Sequence, residues 1–206
     1  MNGWLLLPLS ILIGSIPFGL IVARLKGVDI LKEGSGNIGA TNVGRVIGKG
    51  PAIAVLLLDA LKGFVPAFFF PMLMSGTWNG VPADQMAAIF GVAAAGGHIF
   101  SPFLKFKGGK GISTGLGLLL GSSPIVAAIA LGTFILAVAI SRIVSLASVA
   151  AVVAMVVSAA VLDLPTPFIW AYAVLALLVI FAHRGNIQKL VKGEEKKFSF
   201  KKSGGE

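Results

Sequence analysis

The sequence predicts an all-α integral membrane protein, a single domain over residues 1–206 built as one polytopic bundle of about seven transmembrane helices. Two observations carry this prediction: 56% of the residues are hydrophobic, and only 12% are charged. A soluble domain carries roughly 25% charged residues, so this chain has too few to cover a water-soluble fold. The same hydrophobicity excludes an intrinsically disordered chain. A third observation, the absence of cysteine, excludes disulfides, zinc-thiolate sites, iron–sulfur clusters and a cysteine nucleophile.

The predicted spans follow from six apolar runs, which are residues 4–23, 51–74, 86–104, 112–141, 144–162 and 168–182. A helix needs roughly 20 residues to cross a bilayer, so most of these runs suit one span each. The run 112–141 is too long for one comfortable span. Gly121 and the sequence Ser122-Ser123-Pro124 interrupt it in the manner of a helix stop followed by a restart. We therefore expect a short helix, a turn and a full helix there, which brings the count to seven.

The basic residues predict the orientation of the bundle. Apart from Lys62, which lies inside an apolar run, every lysine and arginine falls in alternate loops or after the last run. An excess of lysine and arginine marks the cytoplasmic side, which places the amino terminus outside and the carboxyl terminus inside. The net charge of +9 is therefore ascribed to membrane topology and not to nucleic-acid binding. The basic tail, residues 189–206, is expected to touch anionic lipid headgroups.

The first predicted cytoplasmic loop has the composition of an anion-binding loop. Glycines allow backbone N–H groups to turn inward, and serine, threonine, asparagine and arginine side chains add donors. The candidate residues are Gly34, Ser35, Gly36, Asn37, Gly39, Thr41, Asn42 and Arg45. Two alternatives are a flexible glycine-rich turn and a dinucleotide site, because residues 34–39 also match G-x-G-x-x-G. That match is weak, since the pattern has meaning only between a strand and a helix, and here apolar spans surround it.

The second candidate segment surrounds Lys110 with glycines, at Gly108, Gly109 and Gly111. A helix is expected to begin directly after it, and the positive end of that helix would favour an anion. We therefore predict that Lys110 binds a phosphate. The nearby Lys105 and Lys107 are better explained as positive-inside anchors at the membrane surface.

The third candidate segment lies where the last apolar run ends and contains His183 and Asn186. Three residues apart, they share a face if the helix continues. His183 is a candidate base or hydrogen-bond orienter; the alternative is an interfacial histidine that meets lipid headgroups.

Three further polar residues fall inside apolar runs. Asp59 and Lys62 are three residues apart, and charges within a membrane are usually paired or functional. We predict an ion pair that supports the site from within the bundle, with a proton or ion relay as the alternative. His98 follows two glycines, which indicate close helix contact, so a packing or supporting role is expected.

Taken together, the three loop segments resemble the PlsY family of bacterial membrane glycerol-3-phosphate acyltransferases. The resemblance extends over residues 1–197 and rests on three motifs, in order and on one predicted side of the membrane. They are residues 34–42 with Arg45, residues 107–111, and His183-Arg184 with Asn186. Gly185 departs from the family, in which many members carry glutamate, so no role for an acid at this position is implied.

The resemblance implies an enzyme of the bacterial inner membrane whose active site faces the cytoplasm. It implies transfer of a fatty acyl group from acyl phosphate to the 1-hydroxyl of glycerol 3-phosphate, an early step of phospholipid synthesis that yields lysophosphatidate. Neither acyl-CoA nor acyl-carrier protein is implied as donor, and neither a metal nor another cofactor is expected. Besides the lipid bilayer, the enzyme that makes acyl phosphate is an expected partner. The implied catalytic residues are Ser35, Arg45, Lys110, His183 and Asn186.

These residues suit a reaction between two phosphate compounds. Two dianions ~7 Å apart repel each other by roughly 9 kcal/mol at an effective dielectric constant of 20, so cations such as Arg45 and Lys110 are needed. Acyl phosphate is already activated, and the hydroxyl can attack it directly if the two are aligned. We therefore favour Ser35 as a phosphate ligand over a nucleophile. Two proton acceptors stay open, His183 and a substrate phosphate oxygen.

Two functions of other classes fit the sequence less well. A phosphate-ester transporter would need polar residues along a path through the bilayer, and the outer loops carry few candidate ligands. A structural or partner-binding membrane protein would have no need of three donor-rich loops on one side.

Overall fold

The computed structural model describes residues 3–195 and residue 197, and this part of the chain is mostly helical, as predicted. Its helices are α1 (Gly3–Ser15), α2 (Phe18–Leu25), α3 (Ala40–Val46), α4 (Lys49–Phe69), α5 (Met86–Ile99), α6 (Ile112–Ser122), α7 (Pro124–Ser141), α8 (Val144–Val161), α9 (Thr166–Ala182) and α10 (Arg184–Val191). A small antiparallel hairpin between α4 and α5 consists of β1 (Thr77–Trp78) and β2 (Val81–Pro82).

Within residues 3–195, five helical stretches are long and apolar enough to cross a membrane. They are Gly3–Leu25, Lys49–Leu73, Met86–Leu104, Pro124–Ser141 and Val144–Val161. A sixth span results if α9 and α10 are counted together, although they are bent by 61°. α6 is apolar but falls short of the same length. The structure thus supports five or six spans, and the predicted seventh depends on α6.

The predicted interruption of the long apolar run is confirmed. α6 ends at Ser122, Ser123 leaves the helical conformation with φ −155° and ψ 87°, and α7 begins at Pro124. Proline suits the first position of a helix because the N–H group that it lacks would have no partner there. The run therefore divides into a short helix and a full one.

α4 and α6 pack so closely that side chains are excluded between their backbones. A Cβ atom on Gly63 would lie 2.0 Å from the carbonyl oxygen of Thr114, and one on Gly117 would lie 1.7 Å from that of Ala60. Small residues allow such contact, which is how helices associate within membranes. α4, which carries Asp59, is thereby fixed against the helix whose first turn borders the candidate site.

The hairpin packs against the beginning of α1. The ring of Trp78 meets the ring of Trp4 edge-on, with 5.3 Å between their centroids. The amino-terminal end of α1 and the hairpin therefore lie at the same end of the bundle, as the charge pattern requires. Which side of the membrane this end faces stays a prediction.

Candidate active site

The three predicted loop segments meet at one cavity of about 450 Å³. The predicted residues that line it are Gly34, Ser35, Asn37, Gly39, Thr41, Asn42, Arg45, Asp59, His98, Lys110, Gly111, His183 and Asn186. Three further glycines, Gly36, Gly108 and Gly109, line an adjacent cleft of about 290 Å³. The cavity also has an apolar part, with walls that include Leu116, Leu119, Leu131, Phe134, Val152 and Met155.

The buried side chain of Asn42 holds the first loop in shape. Its Oδ1 accepts a hydrogen bond from the N–H group of Ser35 at 2.8 Å, and its Nδ2 donates to the carbonyl oxygens of Glu33 and Asn37. A Cβ atom on Gly34 would lie 2.3 Å from the same Oδ1, so only glycine leaves room for this arrangement. The amide group of Asn42 is thus engaged with the loop backbone, and its predicted contact with phosphate stays a prediction.

Several of the N–H groups expected to bind an anion are used inside the protein. Gly36 donates to the carbonyl oxygen of Glu33, and Gly39 donates to the side-chain oxygen of Asn37. In the second segment, Gly108 and Gly109 donate back to the carbonyl oxygens at the end of α5. These hydrogen bonds fix the shape of the loops. Because the N–H groups involved already have acceptors, the side chains of the loops and the N–H groups at the start of α6 are better donors for a phosphate.

Lys110 lies at the start of α6, as the sequence predicted. Gly111 precedes the helix with φ +81°, a conformation that glycine adopts at little cost, and residues 111–113 line the cavity. The positive end of α6 therefore borders the same space as the ammonium group of Lys110. Together they form the electropositive part of the site.

A chain of hydrogen bonds connects Lys110 to the carboxyl-terminal segment. Its Nζ donates to Oδ1 of Asn186 at 2.5 Å, and Nδ2 of Asn186 donates to Oε1 of Glu195 at 2.7 Å. The hydroxyl group of Ser145, in the first turn of α8, donates to the same carboxylate oxygen at 2.8 Å. Asn186 is thus held between a cation and an anion, which fixes the orientation of its amide.

The charge of Lys110 is disfavoured by its surroundings. Burial lowers the pKa of its ammonium group, opposed by the carboxylate of Glu195, and the positive charges of Lys189 and Arg45 lower that pKa further. Because Lys189 and Arg45 repel the charge of Lys110, an incoming phosphate would relieve the repulsion among these three cations.

His183 lies between α9 and α10 with its ring buried. Its Nδ1 is 2.8 Å from the carbonyl oxygen of Val179, and a carbonyl oxygen only accepts, so Nδ1 carries the proton of the neutral ring. Burial lowers the pKa of His183 to about 4, and the charge of Lys110 contributes to the shift. The ring is therefore neutral at physiological pH and has a lone pair on Nε2.

The two charged residues of α4 form the predicted ion pair. Nζ of Lys62 lies 2.8 Å from Oδ1 of Asp59, and both side chains are buried. Asp59 and His98 reach the wall of the cavity, whereas Lys62 donates to the carbonyl oxygen of Ile16, at the junction of α1 and α2.

Comparison with known proteins identifies the family. The family model described as glycerol-3-phosphate acyltransferase matches residues 4–193. The chain belongs to this family. A glycerol-3-phosphate acyltransferase of Geobacter sulfurreducens is 43% identical over 198 residues, covering 96% of this chain and 98% of the relative. A relative of the same name from Trichlorobacter lovleyi is 42% identical, covering 91% and 93%.

Solved structures show the same membership. The crystal structure of PlsY, an integral membrane glycerol 3-phosphate acyltransferase, in its glycerol 3-phosphate form is 36% identical, with a TM-score of 0.87 over 95% of each chain. The lysophosphatidic acid form of PlsY gives a TM-score of 0.86. The predicted family is confirmed, and the chain is a multi-pass membrane acyltransferase of lipid biosynthesis.

Among the cavity residues that were not predicted from the sequence, Ser145 and Glu195 are hydrogen-bonded to each other. Ser145 is one of three serines in the largely apolar α8, and Glu195 lies in the basic tail that was assigned to lipid contact. A signal for Glu195 existed in Gly193, which ends α10 with φ +73°. A glycine after a helix turns the chain back, and here the turn brings Glu195 to Asn186.

Proposed function

We propose that this acyltransferase moves a fatty acyl group from acyl phosphate to the 1-hydroxyl of glycerol 3-phosphate, at the cytoplasmic face of the bacterial inner membrane. The main observation in support is a single cavity that joins a cationic end, with Arg45 and Lys110, to an apolar part between α6, α7 and α8. A donor with a phosphate head and a hydrocarbon tail matches both parts. The glycerol 3-phosphate form of PlsY supports the proposed acceptor.

The cationic end binds the two phosphates. Lys110, Arg45 and the start of α6 supply positive charge, and the hydroxyl groups of Ser35 and Thr41 line the same space. Their function is to offset the repulsion between two dianions, roughly 9 kcal/mol at ~7 Å and an effective dielectric constant of 20. Asn42 shapes the first loop.

The reaction needs no covalent intermediate. The glycerol hydroxyl oxygen forms a bond to the acyl carbon, the bond from that carbon to the phosphate oxygen breaks, and the hydroxyl proton passes to the departing phosphate. With a pKa of about 4, His183 is a weak base, since a general base works best with a pKa near the ambient pH. We therefore assign its Nε2 to accept a hydrogen bond from the hydroxyl and to orient the attack, with Asn186 holding Lys110 in place.

The choice of donor is tested with purified protein, glycerol 3-phosphate and either acyl phosphate or acyl-CoA freed of acyl phosphate. We expect lysophosphatidate from acyl phosphate and none above background from acyl-CoA. Release of inorganic phosphate in equal amount to lysophosphatidate would establish the stoichiometry. Comparable turnover with acyl-CoA would refute the proposed donor while leaving the acyltransferase activity itself intact.

A further inference from the structure

His98 stands next to the ion pair of α4, in the last turn of α5. Its Nδ1 lies 3.8 Å from Oδ1 of Asp59, a distance too long for a hydrogen bond. Asp59 is in turn held by Lys62, whose Nζ is 2.8 Å from the carboxylate and donates to the carbonyl oxygen of Ile16. All three side chains are buried. The Nδ1 side of the His98 ring therefore faces a fixed group within the bundle.

The opposite side of the ring faces the loop that carries Lys110. A Cβ atom on Gly109 would lie 2.0 Å from Nε2 of His98, so the α-carbon of Gly109 sits directly against the ring. The N–H group of Gly109 also donates to the carbonyl oxygen of His98, and that of Gly108 donates to the carbonyl oxygen of Ile99. The loop is thus attached to the end of α5 by two backbone hydrogen bonds and by the packing of Gly109 against the ring of His98.

We propose that His98 is a positioning residue for Lys110. Its ring determines where Gly109 lies. Lys110 follows Gly109 directly, so the position of Gly109 determines whether the lysine ammonium group reaches Asn186 and the cavity. Active-site groups must be held to about 0.5 Å, and a misplacement of ~1 Å can cost about a hundredfold in rate. A ring wedged between the Asp59 carboxylate and the loop backbone supplies this precision. The inference rests on the proposed binding of phosphate by Lys110.

The test is a rescue of one substitution by another. Gly109→Ala introduces the methyl group that meets Nε2, and we expect kcat/KM for glycerol 3-phosphate to fall by about ten- to a hundredfold. Adding His98→Asn should raise this lowered kcat/KM by about tenfold or more. Asparagine keeps a polar atom near the position of Nδ1 but has no atom at the position of Nε2, so the new methyl group has room. Adding His98→Gln should recover little, because glutamine reaches as far as Nε2.

Two glycines provide matched controls. A Cβ atom on Gly108 would lie 2.0 Å from the backbone carbonyl oxygen of His98, which no side-chain substitution moves, so His98→Asn should not rescue Gly108→Ala. Gly96 lies one turn or less from His98 in α5, and its Cβ position is open, so Gly96→Ala should keep wild-type kinetics. Thermal unfolding in detergent is measured for every variant to confirm folding.

The outcomes are distinct. If the double variant folds as well as Gly109→Ala but is no more active, His98 does not position the loop and the proposal is overturned. If the double variant does not fold, His98→Asn alone decides: we expect a several-fold higher KM for glycerol 3-phosphate, and an unchanged KM overturns the proposal. A Lys110→Ala variant with full activity would instead refute the phosphate role on which the inference rests.

Discussion

The ammonium group of Lys110 is held by an uncharged acceptor, the amide oxygen of Asn186. Asparagine fixes the direction of the lysine without neutralising its charge, which leaves that charge available to a substrate anion. Lys105 belongs to the same segment but is exposed, and it lies outside the stretch of glycines that surrounds Lys110. A comparison of Lys110 with Lys105 therefore tests the proposed phosphate role of Lys110 against a lysine of the same segment that is exposed.

Lys110→Ala is expected to lower activity by roughly ten- to two-hundredfold, because a hydrogen bond to a charged group is worth about 1.5–3 kcal/mol. Lys110→Arg should retain only part of the activity that Lys110→Ala loses, since a planar guanidinium cannot replace a compact point charge held by one amide. Both kinetic constants are measured in membranes with matched protein levels. Lys105→Ala is the control, and a loss equal to that of Lys110→Ala would place the phosphate elsewhere.

The low pKa of His183 predicts how the stability of the protein depends on pH. Its folded-state pKa, about 4, is below the ordinary histidine value of 6.5, so the unfolded chain binds a proton more readily than the folded one as the pH falls from 6.5 towards 4. Stability must then decrease on acidification through this window. We expect the melting temperature in detergent to fall less between pH 7 and pH 5 for His183→Asn than for the wild type. Parallel curves for the two proteins would contradict the low pKa.

At the scale of elements, the segment after α10 completes the site. α10 ends with a glycine in the left-handed conformation: Gly193 donates to the carbonyl oxygen of Leu190, and Glu194 donates to that of Lys189. This pattern is the Schellman motif, which closes a helix and reverses the chain. The reversal brings the Glu195 carboxylate between α8 and α10, where it accepts hydrogen bonds from both.

Glu195→Ala is therefore expected to lower kcat/KM by roughly tenfold or more, because Asn186 and Ser145 lose an acceptor worth about 1.5–3 kcal/mol when charged. Glu195→Gln is the matched variant: it keeps an oxygen that accepts both hydrogen bonds and removes only the charge. We expect it to retain most of the activity. Steady-state kinetics and the melting temperature are compared, and equal losses in the two variants would indicate that the charge matters more than the bridge.

At the scale of the whole molecule, patterns local in the sequence were the predictable part. Apolar runs gave most helices, Pro124 gave the break before α7, and glycines around Lys110 marked the loop at the start of α6. Contacts between distant segments could not be predicted in this way. The hydrogen bonds from Lys110 to Asn186 and from Ser145 to Glu195 join residues that are 76 and 50 positions apart, and no spacing in the sequence relates their partners.

The orientation of the bundle rests on charge alone, and it decides which compartment supplies the substrates. The charge pattern predicts that residues 34–49 face the cytoplasm and residues 76–84 face outside. Single cysteines test this in an otherwise cysteine-free chain, at Thr77, exposed in the hairpin, and at Lys32, whose side chain is 82% exposed.

In intact cells, a membrane-impermeant thiol reagent should label Thr77→Cys and spare Lys32→Cys, whereas both should react once the membrane is opened. Replacing Lys32 costs little, because its surface ion pair with Asp29 contributes at most about 1 kcal/mol. Labelling of Lys32→Cys alone in intact cells would show that the topology is the reverse of the predicted one. The cavity would then open on the outer side, where a cytoplasmic acyl phosphate could not reach it.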